Sequence, residues 1–243
     1  MYHGKILAMF TLDKVVPWGR SFDEYRLIFS LTDSDLAGRI LGCADGPAGF
    51  NAEATRRGTR VVSADPLYAL SASEIRARIA ETSHDVIEQT RQNRHEFVWS
   101  SITSPEELLD VRMRAMESFR ADYDAGKEQA RYVTAQLPSL PFEDHAFELA
   151  VCSHFLFLYS EQLGAPFHEA AIKELCRVAR EVRIFPLLAL GAIGSAHVSP
   201  IASTFGELGY TVSIERVPYE FQRGANKMMR ITNRFKRSPK GRQ

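Results

Sequence analysis

Cysteine is scarce in this 243-residue chain: Cys43, Cys152 and Cys176 stand far apart. An odd, sparse set is no disulfide framework and suits a reducing compartment. Surplus charge is missing as well. Thirty Lys and Arg balance 30 Asp and Glu, for a formal net charge of +0, which removes any general pull toward nucleic acid or anionic lipid. No apolar run is long enough to span a bilayer. The opening MYHGKILAMFTLDK has charges close behind its short apolar stretch and lacks the pattern of a secretory leader. A cytoplasmic protein without membrane contact is expected. The seven histidines are scattered, with no spaced Cys or His partners, so no metal site is expected. A G-x-S-x-G elbow, a P-loop lysine motif and a solenoid repeat are absent too.

What the chain does hold is 45% hydrophobic residues, 25% charged and 10% aromatic. That is enough apolar material for one sizeable core and argues against disorder. The first clear apolar run is RILGC at 39–43, which ends in the small-residue turn ADGPAG at 44–49. A helical pattern follows at 50–57, stopped by Gly58, and then a second short run at 59–65 that ends in Asp65. Strand, turn, helix and strand within about thirty residues make a βαβ unit.

Residues 68–131 are charged, long and helical. Ile75, Ile79 and Val86 mark one amphipathic helix. Leu109, Met113, Met116, Phe119 and Tyr123 mark another, with Ser104 as N-cap and Pro105 at the first helical position. This is more chain than a plain crossover needs, so an insertion after the second strand is expected. The sheet resumes at 131–135, then at 147–152, a nearly unbroken apolar strand of the kind covered on both faces. Further expectations are a helix at 166–179, a strand at 181–188, a helix near 199–208, and strands at 210–217 and 228–232 joined by a loop. Two strands without a helix between them imply an antiparallel pair at the sheet edge.

Two features carry chemistry. The run 40–49 lets a ligand approach the backbone and ends at a helix N-terminus, which favours polar or anionic groups; an ordinary tight strand–helix turn has the same look. Asp65, about twenty residues on at the next strand tip, can accept both hydroxyls of a ribose, or serve as a turn residue before Pro66. Together they favour a nucleoside site at the carboxyl ends of the strands.

The order of these parts resembles the class I S-adenosylmethionine-dependent methyltransferases. The segment 40–68 is similar to their glycine-rich first motif followed by the ribose-binding acid. LPFEDHAFELAVCSH at 140–154 resembles the stretch that leads into their fourth strand, and 171–188 the helix and strand after it. The resemblance covers roughly 38–68 and 131–232. It implies an α/β, doubly wound, Rossmann-like sheet of seven strands with a reversed antiparallel last strand, and S-adenosylmethionine as cofactor. Gly42, Cys43, Ala44, Asp45 and Gly46 would then wrap the methionine part, and Asp65 would bind the ribose. Pro66, Leu67, Gln136 and Leu137 would lie beside the adenine. Ser153 and His154 would sit near the sulfonium, with His154 as candidate general base. The chain departs from the family pattern where Gly42 and Gln136 stand for acids, and where Ala44 and Ala48 stand for glycines. Asp45 is a candidate substitute for the carboxylate missing at position 42.

The organisation expected is an N-terminal helical cover at 1–37, an S-adenosylmethionine-binding domain at 38–232 with its helical insertion at 68–131, and a basic, disordered tail at 233–243. Trp18, Arg20 and Tyr25 are candidates to cover the cofactor, and Tyr159 and Tyr219 to line the acceptor site, although surface or edge packing accounts for each singly. The stretch 93–99 reads equally as a pocket wall or as a packed helix end. The leading expectation is a methyltransferase acting on a small molecule. A non-catalytic S-adenosylmethionine-binding module and, further off, an NAD(P)-dependent oxidoreductase are the alternatives, and the tail leaves a nucleic-acid contact open.

Overall fold

The computed structural model describes residues 16–233. The segment at 1–15 and the basic tail from 234 onward lie outside the described residues, and with them the expectation of a disordered tail. Seven strands form one sheet: β1 (Arg39–Cys43), β2 (Arg60–Ala64), β3 (Tyr132–Val133), β4 (Phe147–Ser153), β5 (Ala179–Phe185), β8 (Tyr210–Arg216) and β9 (Lys227–Asn233). Their order is β3-β2-β1-β4-β5-β9-β8. The first five pair in parallel, whereas β9 runs antiparallel to β5 and β8. This is the doubly wound sheet with a reversed last strand that the sequence led us to expect. A separate small hairpin, β6 (Leu188–Ala189) with β7 (Ile193–Gly194), follows β5. Two residues per strand are too few to leave a periodic signal, and the sequence reading ran β5 on to 188 in its place.

Alternation along the strands feeds two cores. Ile40, Leu149 and Val151 point to the face covered by α1 (Phe22–Ile28) and α3 (Phe50–Arg56), where Phe22, Tyr25, Phe50 and Ala54 are buried. Leu41, Cys43, Ala150 and Cys152 point the other way, against Ile172 and Leu175 of α6 (Ala165–Val178) and Phe205 of α7 (Val198–Glu207). Each such aliphatic or aromatic side chain contributes about 1.5–3 kcal/mol by leaving water. A short helix α2 (Asp33–Ala37) leads into β1; Arg183 of β5 reaches back to its Asp35 carboxylate at 2.9 Å.

Between β2 and β3 the chain builds α4 (Ala72–Gln92) and α5 (Pro105–Glu128). Ser71 caps α4 through a capping box, and Ser104 caps α5 with Pro105 in the first turn. They pack through Ile75, Ile79, Met116, Phe119 and Tyr123, with Tyr68 and Tyr132 in the same cluster. The inward face of α5 is shifted from the one read off the sequence. Leu108, Arg112, Ala115, Met116 and Phe119 are buried, whereas Met113 is 40% exposed. The stripe contains a buried arginine, which a hydrophobic pattern cannot register. The loop after β8 folds over the α4–α5 connection, where the Val98 amide donates to the Phe221 carbonyl at 2.7 Å and the Arg223 amide to the Glu96 carbonyl at 2.7 Å.

Candidate functional site

A cavity of about 600 Å³ opens at the carboxyl ends of β1, β2 and β4. Its floor is the turn after β1 (Cys43–Gly46), the tip of β2 (Ala64–Leu67), Ala135–Leu137 beyond β3, and Ser153–Phe155 beyond β4. Val16, Pro17, Trp18 and Arg20 cross over it, and Val86, Phe97, Leu108 and Phe221 wall it from α4, α5 and their neighbouring loops. The crossing segment lies tight on the turn. The Gly49 amide donates to the Arg20 carbonyl at 2.9 Å, and a Cβ at Gly19 would stand 2.1 Å from the Pro47 carbonyl oxygen, so only glycine lets the two backbones touch.

The floor is acidic. Asp45 is buried and accepts hydrogen bonds from Ser63 Oγ at 2.7 Å and Tyr25 Oη at 2.8 Å. Burial pushes its carboxyl up to about 6, with the nearby Asp65 charge adding to the rise and the two hydroxyls holding it back. A Cβ on Gly42 would lie 1.8 Å from Asp45 Oδ2. The carboxylate therefore fills the space that a side chain at position 42 would take, and the bare position is the condition for the acid at 45. Asp65 accepts the Gly46 amide at 2.9 Å and the Leu67 amide at 2.8 Å, one on each oxygen. Burial raises its pKa also, against those two bonds. Each oxygen keeps a lone pair for a further donor. Gly46 sits at φ +52° with nothing within 4 Å of where a Cβ would be, so its backbone stands open, and its carbonyl is held by Tyr68 Oη at 2.8 Å.

Two residues on the floor have left-handed backbone without being glycine: Ala44 at φ +55° and His154 at φ +52°. Each costs on the order of 1–2 kcal/mol, and both sit where a strand ends against the cavity. Position 44 thus keeps a glycine conformation although it carries alanine. His154 Nδ1 lies 2.7 Å from Ser153 Oγ. Burial, then the charges of Arg20 and Arg112, hold this imidazole well below its usual value, so the ring is neutral.

The opposite wall is basic. Arg112 of α5, 1% exposed, donates from Nη1 to both carboxylate oxygens of Glu24, each at 2.6 Å. Burial opposes the Glu24 charge, but Arg112 and Arg20 outweigh it and hold the carboxyl below its usual range. Tyr219 Oη donates to the same carboxylate at 3.1 Å, and the Ser21 amide at 3.0 Å. Arg20 donates from Nη1 to the Trp18 carbonyl at 3.0 Å. The three cysteines are free and buried, and burial raises each thiol, Cys152 and Cys176 to about 12. Such thiols are inert.

Of the residues singled out from the sequence, Cys43, Ala44, Asp45, Gly46, Asp65, Pro66, Leu67, Gln136, Leu137, Ser153 and His154 all line this one cavity, as do Trp18, Arg20, Tyr25, Tyr159 and Tyr219. Gly42 does not line it; its part is to leave room for Asp45. Within 93–99, Phe97 faces the cavity while Trp99 packs behind it against Phe221. The sequence reading missed Glu24, Ser63, Tyr68 and Arg112. Arg112 left a trace, since a charge falls at an apolar position of α5 between Leu108 and Met116. Among the described residues no cluster of His, Cys, Asp or Glu is arranged to hold a metal ion, and no helix is long and apolar enough to cross a membrane.

The chain is 32% identical over 222 residues to the uncharacterized protein MJ0045 of Methanocaldococcus jannaschii, an overlap of 90% of this chain and 97% of that one. It belongs to the same family. No protein-family model matches the chain. Solved structures similar to this chain include the PH0226 protein of Pyrococcus horikoshii OT3, at 15% identity and TM-score 0.43, over 86% of this chain and 91% of that one. The magnesium protoporphyrin IX methyltransferase of Synechocystis PCC 6803 with bound SAM is 12% identical at TM-score 0.41, over 87% and 90%. The mmp1179 protein of Methanococcus maripaludis is 12% identical at TM-score 0.45, over 90% and 85%. Likeness at this level brings no chemistry with it, so function has to be argued from the pocket's own residues.

Proposed function

We propose that the protein is an S-adenosylmethionine-dependent methyltransferase acting on a small-molecule acceptor. The observation that carries this is the joint tip of β1 and β2, where an open Gly46 backbone and a buried Asp65 carboxylate, bonded at 2.9 Å, face one cavity. The residues fit the cofactor. Ala44, Asp45 and Gly46 would wrap its amino-acid part, Asp65 would take the ribose hydroxyls, Pro66, Leu67, Gln136 and Leu137 would flank the adenine, and Ser153 would lie near the sulfonium. The acid floor suits a ligand with net positive charge. When bound, the cofactor supplies an electrophilic methyl group: the acceptor's lone pair forms the new bond to carbon while the C–S pair returns to sulfur.

The chain's own part is to bind, orient and keep out water. Trp18, Val86, Phe97, Leu108 and Phe221 make an apolar wall over the floor, which strengthens each polar contact inside. Holding nucleophile and methyl group in line supplies most of the acceleration such a site can give. His154 is the candidate to receive a hydrogen bond from the acceptor. In the tautomer that donates Nδ1–H to Ser153 Oγ, the other ring nitrogen is a bare acceptor, and the depressed pKa keeps the ring neutral. The same depression makes it a weak base, so full proton transfer falls to acceptors acidic enough to lose the proton readily.

Calorimetry with S-adenosylhomocysteine tests the reading. Asp65→Ala should weaken binding by about 1–3 kcal/mol through lost charge-assisted hydrogen bonds. Unchanged affinity in a folded variant would show that the ribose does not sit at Asp65. A methyl-transfer screen then separates an enzyme from a binding module.

A further inference from the structure

The proposed methyl acceptor needs a place beside the cofactor, and the charges of the cavity wall say what kind of molecule fits there. Asp65 stands at the tip of β2 and Gln136 just beyond β3, both to one side of β1 in the sheet. His154 follows β4, and Tyr219 lies in the loop joining β8 and β9, both on the other side. Arg112 belongs with this second group, because the Glu24 carboxylate takes both Arg112 Nη1 and Tyr219 Oη, and Arg20, on the same cavity wall, is close enough for the charges of Arg112, Tyr219 and Glu24 to act on it. The cavity thus holds Asp45 and Asp65 under its nucleoside half and the paired guanidinium groups of Arg20 and Arg112 in the other, with Arg78 of α4 a further arginine on its lining.

The basic half is short of negative charge. Among the described residues Glu24 is the carboxylate bonded there, and its two oxygens already take Arg112 Nη1, the Ser21 amide and hydroxyl, and Tyr219 Oη. Arg20 is half-buried, and among the described residues no carboxylate forms an ion pair with it. Its Nε and that of Arg112 are buried without an acceptor. Burial and then the Arg112 charge pull Arg20 below its usual value, against the smaller opposing pull of Tyr219, Glu24 and Tyr25. Among the described residues these two permanent cations meet one saturated carboxylate, and a partly desolvated surplus of positive charge is costly unless a ligand matches it. Around it the wall is apolar, from Trp18, Val86, Phe97 and Phe221.

We infer that the Arg20 guanidinium, backed by Arg112, binds a carboxylate of the methyl acceptor, and that the acceptor's remaining body is apolar and lies among Trp18, Val86, Phe97 and Phe221. This rests on the methyltransferase reading for the word acceptor, but the anion site stands on the arginines alone. A carboxylate could reach Arg20 from two sources, the acceptor or the amino-acid end of the cofactor, and the experiment separates them.

Calorimetry is run on the wild type, Arg20→Gln and Arg20→Lys. The first arm compares S-adenosylhomocysteine with 5′-methylthioadenosine, which keeps the nucleoside and thioether but has no carboxylate. The second titrates benzoate, 3-phenylpropionate, indole-3-acetate and decanoate, each against its primary amide, into protein saturated with S-adenosylhomocysteine. At least one acid should bind about ten- to a hundredfold tighter than its amide, as expected for a charge-assisted bond. Arg20→Gln should erase that preference and Arg20→Lys keep part of it, with S-adenosylhomocysteine affinity nearly unchanged in both. The inference is overturned if no acid outbinds its amide, or if the preference survives in Arg20→Gln. It is overturned too if Arg20→Gln weakens S-adenosylhomocysteine but not 5′-methylthioadenosine, which would give Arg20 to the cofactor's own carboxylate. Should S-adenosylhomocysteine fail to bind the wild type, the cofactor reading falls, and the same acids titrated into the protein alone still decide the anion site.

Discussion

Replacing Asp45 with asparagine tests the electrostatics of the floor directly. The carboxyl rises from 3.8 to about 6 mainly because burial disfavours its charge. A rise of roughly 2 pKa units corresponds to about 3 kcal/mol against the folded state once the group is ionised. The folded state holds this proton more tightly than the unfolded chain, so the stability due to Asp45 is full below pH 3.8 and is lost as pH rises through about 6. Asparagine has no charge to bury, but it keeps only one oxygen for Ser63 and Tyr25, a loss of about 1–2 kcal/mol. Asp45→Asn should therefore be more stable than wild type by about 1–2 kcal/mol at neutral pH, or roughly 2–6 °C in Tm, and less stable by a similar amount near pH 4. Urea or thermal unfolding of both proteins across this range measures the crossing. A difference that stays flat with pH, with Asp45→Asn the weaker throughout, would refute the reasoning. The charge also couples to binding. A cationic ligand over Asp45 favours its ionised form, so S-adenosylmethionine should expel roughly three quarters of a proton from Asp45 near pH 5.5 in the wild type, and Asp45→Asn should lose that share and keep only what Asp65 releases. Calorimetry in buffers of different ionisation enthalpy reads that number.

Three further outcomes follow from contacts. Arg112→Met strands the Glu24 carboxylate and should cost about 3–5 kcal/mol, while adding Glu24→Gln should recover a large part in chemical denaturation. Gly42→Ala drives a methyl group into the Asp45 carboxylate and should cost about 1–3 kcal/mol; in the Asp45→Ala background the penalty should shrink, and a double-mutant cycle on stability reads the coupling. Ala44→Gly relaxes a left-handed alanine and should raise stability by up to about 1 kcal/mol, visible as a higher Tm.

The βαβ unit was legible because its signals are local. β1 ends as expected at Cys43, the small-residue turn follows, and Asp65 closes the next strand. The reversed β9 was legible because no helix separates it from β8. The relation of Gly42 to Asp45 was harder: the sequence shows an acid missing from one position and present three residues on, but only the fold of the turn brings Asp45 Oδ2 to within 1.8 Å of the absent Cβ. Glu24 was hidden for a different reason. Its part as third residue of a capping box explains it fully in one dimension, and its pairing with Arg112, 88 positions away, has no local mark. The face of α5 was misread because Leu109 and Met113 keep a helical spacing about as well as Leu108 and Arg112. Hydropathy chooses the wrong stripe when the inward one carries a charge.

The two halves of the cavity meet in one short helix. Glu24 and Tyr25 are consecutive on α1; the first holds Arg112 and the second holds Asp45 at 2.8 Å. Neighbouring residues on a helix point about 100° apart, so a seven-residue element reaches both the acidic floor and the basic wall. Its N-terminus is fixed by Ser21 and Glu24, and the segment before it is pressed by Gly19 onto the turn that follows β1. The carboxylate that balances Arg112 is thus the same one that closes the cap. A displacement of α1 would therefore disturb the counter-charge of the wall and the hydrogen bonding of Asp45 together. The charge division of the pocket is set by the placement of α1 on the sheet, through Phe22 stacked on Phe50 and Tyr25 stacked on the same ring at 4.5 Å. Packing in the core beneath is what makes the polar arrangement above it reproducible.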